Sequence, residues 1–512
     1  MTGGMTAGHN LADVLERRAA LGGWADDVAF LVDGRTFSHA EVHAGAARAA
    51  SLLAAAGVGG GDRVLIALPD GIEFAWCFLG AVRVGAVAVP VNPRLTAADH
   101  AEAAALAAPA VVVCGAELAG RFSGRRVVEA DGLEAALAAH APSEPATVAA
   151  GDAAYAQFTS GTTGAPKAAV HAHADPLVYF DAFARRAIAL TPTDVVFSVS
   201  KLYFAYGLGN SLFFPLLAGC RAVLHAEHPR ADDVADLVAR HRATVLFGVP
   251  TFYARLVASG RCEPWSSLRV AVSAGETLTV SLDRRARALL GCPVLDGVGS
   301  TEVGQTFASN TLDRSREGTV GAALAPYRVE VRDDRGRAVP AGRPGDLWVA
   351  GPTLLRGYLA GETIVRRDGP WLCTGDRAVL DGDGFVHLRG RTDDMDQVGG
   401  ISVSPVEIEA VLSRHPAVGE VAVAGVVGRD GASRLEAFVV AAPGAASESR
   451  VEDELVALAR AELAAFKVPR SVAFVEALPR TPTGKLRRFV LRSGTWPGEA
   501  GQVAQAAPNR SR

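Results

Sequence analysis

No two of the six cysteines (Cys77, Cys114, Cys220, Cys262, Cys292 and Cys373) stand at C-x-x-C spacing. The pattern therefore indicates neither a zinc site nor a redox dithiol. Thiols scattered through a long chain read as reduced and mostly buried, as in a cytoplasmic protein. There is also no excess of one charge: 51 basic side chains face 55 acidic ones, a net charge of −4. That removes any global electrostatic case for nucleic acid or an anionic membrane, so a polyanion must be held locally. No apolar run is long enough to span a bilayer. The longest, Phe74 to Val91, is broken by Arg83 and Pro90 and reads as a buried helix, a turn and a strand. The opening residues MTGGMTAGHN lack a charged stretch followed by an apolar one, so no secretory leader is expected. No repeat of 20–50 residues is present.

What remains is a 512-residue chain, 49% hydrophobic and 21% charged, too long for one ordinary core. Short apolar runs at 62–69, 86–91, 110–114, 195–200, 221–225, 244–248 and 268–273 alternate with Ala-rich helical stretches. This alternation predicts an α/β fold of layered parallel sheets. Residues 132–150, rich in Ala and Pro, are expected to form a surface connection. After Leu312 the runs 328–333, 346–350 and 385–389 are punctuated by Asp-Gly and Arg-Gly turns, which predicts a small antiparallel unit. A smaller α+β domain is expected from about residue 393 to 495, after an N-terminal domain of residues 1–392. The Gly/Ala/Gln-rich tail at 496–512 is expected to be disordered.

Five motifs carry chemistry. In the first, the strand-like run AAYAQF leads into Thr159-Ser160-Gly161-Thr162-Thr163-Gly164-Ala165-Pro166-Lys167. Glycines bring backbone N–H groups close to a ligand, and hydroxyls add donors for phosphate oxygens. It is not a Walker A loop, in which Lys follows the second Gly directly. The second is Asp296-Gly297-Val298-Gly299-Ser300-Thr301-Glu302, a strand end with hydroxyls and a carboxylate. Taken alone it reads equally as a magnesium and nucleotide site or as a solvated turn capped by Ser or Thr. The third is Trp371-Leu-Cys-Thr374-Gly375-Asp376, where an Asp in a tight turn caps its own backbone or receives a ribose. The fourth, Gly390-Arg391-Thr392-Asp393-Asp394, sits at the inferred domain boundary. The fifth, Pro479-Arg-Thr-Pro-Thr-Gly484-Lys485-Leu-Arg-Arg488, presents one lysine in a Thr/Pro-rich loop.

In this order and at these separations the five motifs resemble the adenylate-forming superfamily of acyl-CoA synthetases, adenylation domains and luciferases, over about residues 10–495. The likeness is strongest to the benzoate–CoA ligase branch, through Lys201-Leu-Tyr-Phe-Ala-Tyr-Gly-Leu-Gly-Asn210, Asp296–Glu302 and Val403-Ser-Pro-Val-Glu-Ile-Glu409. The resemblance implies two half-reactions. A carboxylate attacks the α-phosphate of MgATP and expels pyrophosphate, then a thiol, usually that of CoA, displaces AMP. It implies that Thr159–Lys167 cradles phosphates and that Glu302 binds Mg²⁺. Thr301 would touch the α-phosphate and Asp376 the ribose. Gly275, Glu276, Asp296, Gly297 and Arg391 would complete the nucleotide site. Lys485 would bridge the incoming carboxylate and the α-phosphate. The C-terminal domain would be mobile about a hinge at Asp393, with Gly399 and Gly400 near the CoA path.

For the acid, the resemblance implies a pocket of Phe204, Ala205, Tyr206, Gly207, Ala274, Gly299, Gly304, Gln305 and Thr306. Amino-acid-activating relatives carry an Asp for the substrate ammonium where this chain has Ala205. A buried ammonium without a partner is costly, which favours a flat, uncharged ring. Gln305 and Thr306 put hydrogen-bonding groups where benzoate-type enzymes are more apolar, so a hydroxy-, amino- or larger-substituted benzoate is expected. Gln397 stands where that branch has a Lys tied to the thioester step. The acceptor reading is therefore CoA, with a carrier-protein thiol as the alternative. An inactive nucleotide-binding regulator is disfavoured by the joint presence of Lys167, Glu302, Asp376 and Lys485. A fatty acyl ligase is disfavoured by the 201–210 segment, and nothing asks for luciferase-like oxidation. His171 and His173 are expected to cap or pack the following helix, and Arg221 and Arg230 are candidates for the CoA 3′-phosphate.

Overall fold

The computed structural model describes residues 9–159, 166–261, 265–392, 396–398, 401–427, 433–442, 447–480 and 486–493. The chain divides into two compact units, one of residues 1–278 with 283–388, the other of 279–282 with 389–512.

The first unit is built on two large sheets. In one, the strands Val195–Ser198, Val245–Gly248, Val270–Ala274 and Val294–Gly299 run parallel and side by side, with Arg221–Leu224 and Val28–Val32 parallel beyond them. In the other, Val87–Pro90, Arg63–Ala67, Val111–Cys114 and Val127–Glu129 are parallel, and the antiparallel hairpin Ala153–Thr159/Lys167–Ala172 extends the sheet. The apolar runs of the sequence are these strands. A parallel strand buried on both faces needs no polar alternation. Along Arg63–Ala67 the pleat sends Val64 and Ile66 into one core and Leu65 and Ala67 into another. The first core also takes residues from the helices His39–Ala55 and Ile72–Arg83 and from the first sheet, so those helices fill the layer between the sheets. Helix His39–Ala55 starts with a capping box, Ser38 with Glu41.

Two local expectations change. Residues 132–150 contain a short helix, Leu133–Ala138, because Leu133 and Leu137, four apart, both face the core. Thr374–Asp376 is not a tight turn. These residues lie inside the strand Trp371–Leu380 as a bulge opposite Leu347, with Gly375 at φ +76°. This strand belongs to the antiparallel sheet of Arg328–Arg332, Pro344–Ala350, Trp371–Leu380 and Val386–Arg391.

The second unit packs the helices Pro405–Leu412 and Glu448–Glu462 on one face of a sheet of Val418–Val427, Ser433–Ala441 and Ser471–Phe474. Short helix Arg488–Arg492 covers the other face through Leu491. Glu407 and Glu409 of the first helix pair with Lys467 at 2.6 Å and Arg488 at 2.9 Å.

Among the described residues no helix is long and apolar enough to cross a membrane. Cys77, Cys114, Cys220 and Cys292 are buried thiols, and Cys373 is exposed.

Candidate active site

Of the predicted ligand-binding residues of the first unit, those of 204–207, 274–276 and 296–306 lie at one edge of its larger sheet, while Thr159 and Lys167 belong to the other large sheet. The neighbouring parallel strands that end at Ser198, Gly248, Ala274 and Gly299 all deliver their C-terminal ends there. Ligands in open α/β sheets bind outside those ends. Ala274 with Gly275 and Glu276 leaves one strand, and Gly297, Gly299, Thr301 and Glu302 leave the next. Phe204–Asn210 follows the third.

The turn after Gly299 is tightly fastened. The Ser300 hydroxyl accepts from the Val303 N–H at 3.2 Å, the expected capping role. Leu355 N–H donates to the Glu302 carbonyl at 2.8 Å, and Thr353 Oγ1 to that of Val303 at 2.7 Å. Gly304 has φ +90°, and a Cβ there would lie 3.3 Å from the His171 ring. Only glycine combines that backbone with that approach. The Glu302 carboxylate accepts a long hydrogen bond, 3.4 Å, from the Tyr358 hydroxyl. Lys167 Nζ lies 5.7 Å from the centre of the same tyrosine ring.

His171 joins the hairpin to this turn. It sits on the strand that begins at Lys167, stacks on Tyr155 at 5.1 Å, and is fully buried. Its Nε2 donates to the Thr301 carbonyl at 2.7 Å, while Nδ1 faces Asp175 Oδ2 at 3.3 Å. A carbonyl only accepts, so the contact fixes a proton on Nε2. Packing was the expected role; the link to Thr301 was not legible. His173 Nδ1 accepts from the Leu11 N–H at 3.1 Å.

The aromatic segment is anchored from below. Lys201 is buried and donates to the His225 carbonyl at 2.5 Å, with Asp70 Oδ2 at 3.8 Å. Burial pushes the Asp70 carboxyl up to about 6 against the pull of Lys201. A Cβ on Gly207 would fall 2.1 Å from the Lys201 carbonyl oxygen, so the segment folds closely on itself. Phe204, Ala205 and Tyr206 are half-buried.

Gln305 and Thr306 turn out to be engaged with each other and with this segment. Gln305 Oε1 accepts from the Thr306 N–H at 3.0 Å and the Thr306 hydroxyl at 3.1 Å. Gln305 Nε2 faces the Tyr206 carbonyl at 3.3 Å and Asn210 Oδ1 at 3.4 Å. Asn210 ends the Lys201–Asn210 segment quoted from the sequence, but its contact with Gln305 was not legible there. Among the described residues the buried amide of Gln157 has no hydrogen-bond partner.

Asp296 is buried beneath the same edge, and burial first, then the nearby Asp283 charge, pushes its carboxyl well above the carboxylate range. Glu276 accepts from the Thr251 N–H at 3.0 Å and hydroxyl at 2.6 Å, capping helix Pro250–Ser259. Asp376 lies on the separate four-stranded sheet, its N–H donating to Thr374 Oγ1 at 3.2 Å. Arg391 ends the strand Val386–Arg391. Arg230 donates to Asp233 at 3.3 Å, and Arg221 opens its strand exposed. Lys485, Asp393, Ser160–Gly164, Gly399, Gly400, the Gln397 side chain and the tail lie outside the described residues.

A family profile described as AMP-binding enzyme matches residues 15–359, and one described as its C-terminal domain matches 407–485. The chain belongs to the AMP-binding enzymes. Among relatives, this AMP-binding enzyme is 45% identical over 488 residues to a p-hydroxybenzoic acid–AMP ligase of Mycobacterium tuberculosis, covering 94% of this chain and 68% of that one. It is 37% identical over 505 residues to the benzoate–CoA ligase of Thauera aromatica, covering 95% and 96%. The crystal structure of a benzoate CoA ligase from Burkholderia xenovorans superposes with a TM-score of 0.87 at 35% identity, over 94% of this chain and 99% of that one. The AMP-binding enzyme thus stands with the adenylate-forming superfamily near its benzoate–CoA ligase branch, in a family of aryl-acid-adenylating ligases that use ATP.

Proposed function

We propose that this enzyme activates a hydroxybenzoate with ATP and passes the aroyl group to the thiol of CoA. The observation that carries the first half is the linkage of the Lys167 hairpin to the Thr301–Glu302 turn through His171, at 2.7 Å. It ties the strand that begins at Lys167 to the turn that carries the Thr301 hydroxyl and the Glu302 carboxylate, which supports a shared phosphate site.

In the first half-reaction a carboxylate oxygen of the acid forms a bond to the α-phosphorus. The bond to the β-phosphate bridging oxygen breaks, and pyrophosphate leaves. Both reactants are anionic, so positioning and positive charge supply most of the rate. Lys167 and the loop before it hold the β- and γ-phosphates, Thr301 meets the α-phosphate, and Lys485 bridges it to the incoming carboxylate. Asp376 and Arg391 hold the ribose side; Gly275, Glu276, Asp296 and Gly297 frame the base. In the second half-reaction the thiol sulfur attacks the acyl carbon, gives up its proton, and AMP departs.

Magnesium fits Glu302. Its carboxylate makes one long hydrogen bond to Tyr358 and keeps acceptor capacity. Among the described residues no three His, Cys, Asp or Glu side chains cluster, which suits an ion held mainly by phosphate oxygens and water. When bound, the ion neutralises phosphate charge.

An aromatic acid without an ammonium is supported by Ala205, which offers no counter-charge, and the hydroxyl by the p-hydroxybenzoic acid relative. A carrier-protein thiol in place of CoA is the second reading, favoured because that relative is named an AMP ligase rather than a CoA ligase. The test is pyrophosphate release with MgATP over benzoate and its hydroxy and amino derivatives, with CoA, with a holo-carrier protein, and with neither. Strong turnover with a hydroxybenzoate only when CoA is present supports the proposal. Turnover only with the carrier moves the acceptor, and no release with any aryl acid refutes the whole reading.

A further inference from the structure

Four arginines, Arg328, Arg356, Arg366 and Arg367, line one groove of about 550 Å³ in the first unit, and none of the residues lining it is acidic. This local excess stands against a net charge of −4 for the whole chain. Guanidinium groups gathered without carboxylates repel one another, and their forked donors match phosphate oxygens. Two of the four are held in place from within the protein. Arg328 lies over the Trp371 ring, 5.4 Å from its centre. Arg367 donates to the carbonyls of Asp368 at 3.0 Å, Gly369 at 2.7 Å and Trp371 at 2.6 Å, bonds that leave its charge uncompensated. Among the described residues neither these two nor Arg366 has an ion pair. Arg356 meets the buried Asp175 carboxylate, but only at 3.5 Å. The groove is also fastened to the Thr301–Glu302 turn by two routes. Leu355, in its lining, donates its N–H to the Glu302 carbonyl at 2.8 Å. The other oxygen of Asp175 faces His171 Nδ1 at 3.3 Å, and His171 holds the Thr301 carbonyl at 2.7 Å.

We propose that this groove is a second phosphate site, separate from the Thr159–Lys167 loop, which takes a multiply charged phosphate. Two sources share that chemistry: the pyrophosphate that adenylation releases and the phosphorylated end of CoA. The proposal goes beyond the function given above, because the groove binds its anion whether or not an aryl acid is present. Arg328, Arg366 and Arg367 supply the field that holds the anion. Arg356 has the additional role of a link. An anion in the groove competes with Asp175 for its guanidinium, and the change passes through His171 to the carbonyl of Thr301.

The experiment is equilibrium dialysis of the full-length enzyme against labelled pyrophosphate. No aryl acid is added, so no chemistry runs and the result is independent of the substrate reading. Salt at about 0.15 M screens distant surface charge. The proteins are the wild type, Lys167→Ala, the double variant Arg328→Gln/Arg366→Gln and Arg366→Gln alone, each checked by thermal melting. A control, Arg240→Gln/Arg255→Gln, removes the same charge from exposed positions on the helices Ala231–His241 and Pro250–Ser259. Wild type and control should bind alike. The double variant should lose one pyrophosphate per chain or bind it at least about tenfold more weakly, the scale of a charge-assisted hydrogen bond. Arg366→Gln, which has no ion pair to lose, should move the same way by less. Lys167→Ala should keep the groove's pyrophosphate. In that variant, displacement of the label by CoA identifies CoA phosphates as the occupant, and retention of the label identifies free pyrophosphate; either supports a phosphate site. Wild-type binding by the folded double variant overturns the proposal. An equal loss in the control, or loss of all binding in Lys167→Ala, does so too.

Discussion

His171 Nε2 donates to the carbonyl oxygen of Thr301 across 130 residues of sequence, at 2.7 Å. The bond ties the strand that begins at Lys167 to the Thr301–Glu302 turn, two segments proposed to meet the same triphosphate. His171→Phe keeps the ring volume and the stack on Tyr155 but leaves the Thr301 carbonyl unpaired. We expect about 1–3 kcal/mol of lost stability. Pyrophosphate release should lose kcat while the KM of the aryl acid changes little. Melting curves and steady-state kinetics together check this; an unchanged kcat in a folded variant would refute the coupling.

Glu302→Gln keeps the size of the side chain and the Tyr358 contact but removes the charge. Activity should fall by about a hundredfold, and the Mg²⁺ concentration for half-maximal rate should rise. Tyr358→Phe removes only a 3.4 Å hydrogen bond and should have a much smaller effect. A magnesium titration of both variants separates the ion from the hydrogen bond.

Lys485→Met should cost several kcal/mol in the adenylation transition state. It should spare thioester formation from a supplied aryl-adenylate. Asp393→Pro fixes φ at the proposed hinge. It should keep pyrophosphate release and lose thioester formation. Equal loss of both half-reactions in Asp393→Pro would dismiss the hinge.

His43 is buried in helix His39–Ala55, and burial first, then the charges of His39 and Arg83, lowers its pKa from 6.5 to about 3. The unfolded chain binds a proton there that the folded chain refuses. Its contribution to stability is therefore present above pH 6.5 and is lost as pH falls toward 3. His43→Leu should flatten the decline of melting temperature between pH 6.5 and 4, with little change at pH 8.

Much of this was legible in the residues themselves. Val64–Ala67 and Val111–Cys114 read as strands because a doubly buried parallel strand is a plain apolar run. The strand ending at Thr159 and the loop after it were marked by an apolar run and its glycines, whereas the antiparallel pairing with the strand from Lys167 was not. The bulge at Thr374–Asp376 was taken for a turn because both use a glycine at positive φ, and only the partner strand distinguishes them. The contact of Asn210 with Gln305 was hidden for another reason: the two are 95 residues apart, and no local pattern records that pairing.

That bulge also sets a reading frame for the strand. Thr374, Gly375 and Asp376 stand opposite the single residue Leu347, so two extra residues are inserted, an even number. Side-chain alternation therefore resumes in phase, and Leu372 before the bulge and Ala378 after it face the same core. Losing one of the three residues would throw Ala378 and Leu380 to the opposite face and break the sheet. Losing Thr374 and Gly375 together would restore a plain ladder with the core intact, and would lay Asp376 back into the pleat. Chain length at this point is constrained by parity, and the carboxylate can be moved relative to its neighbours without unfolding the strand that bears it.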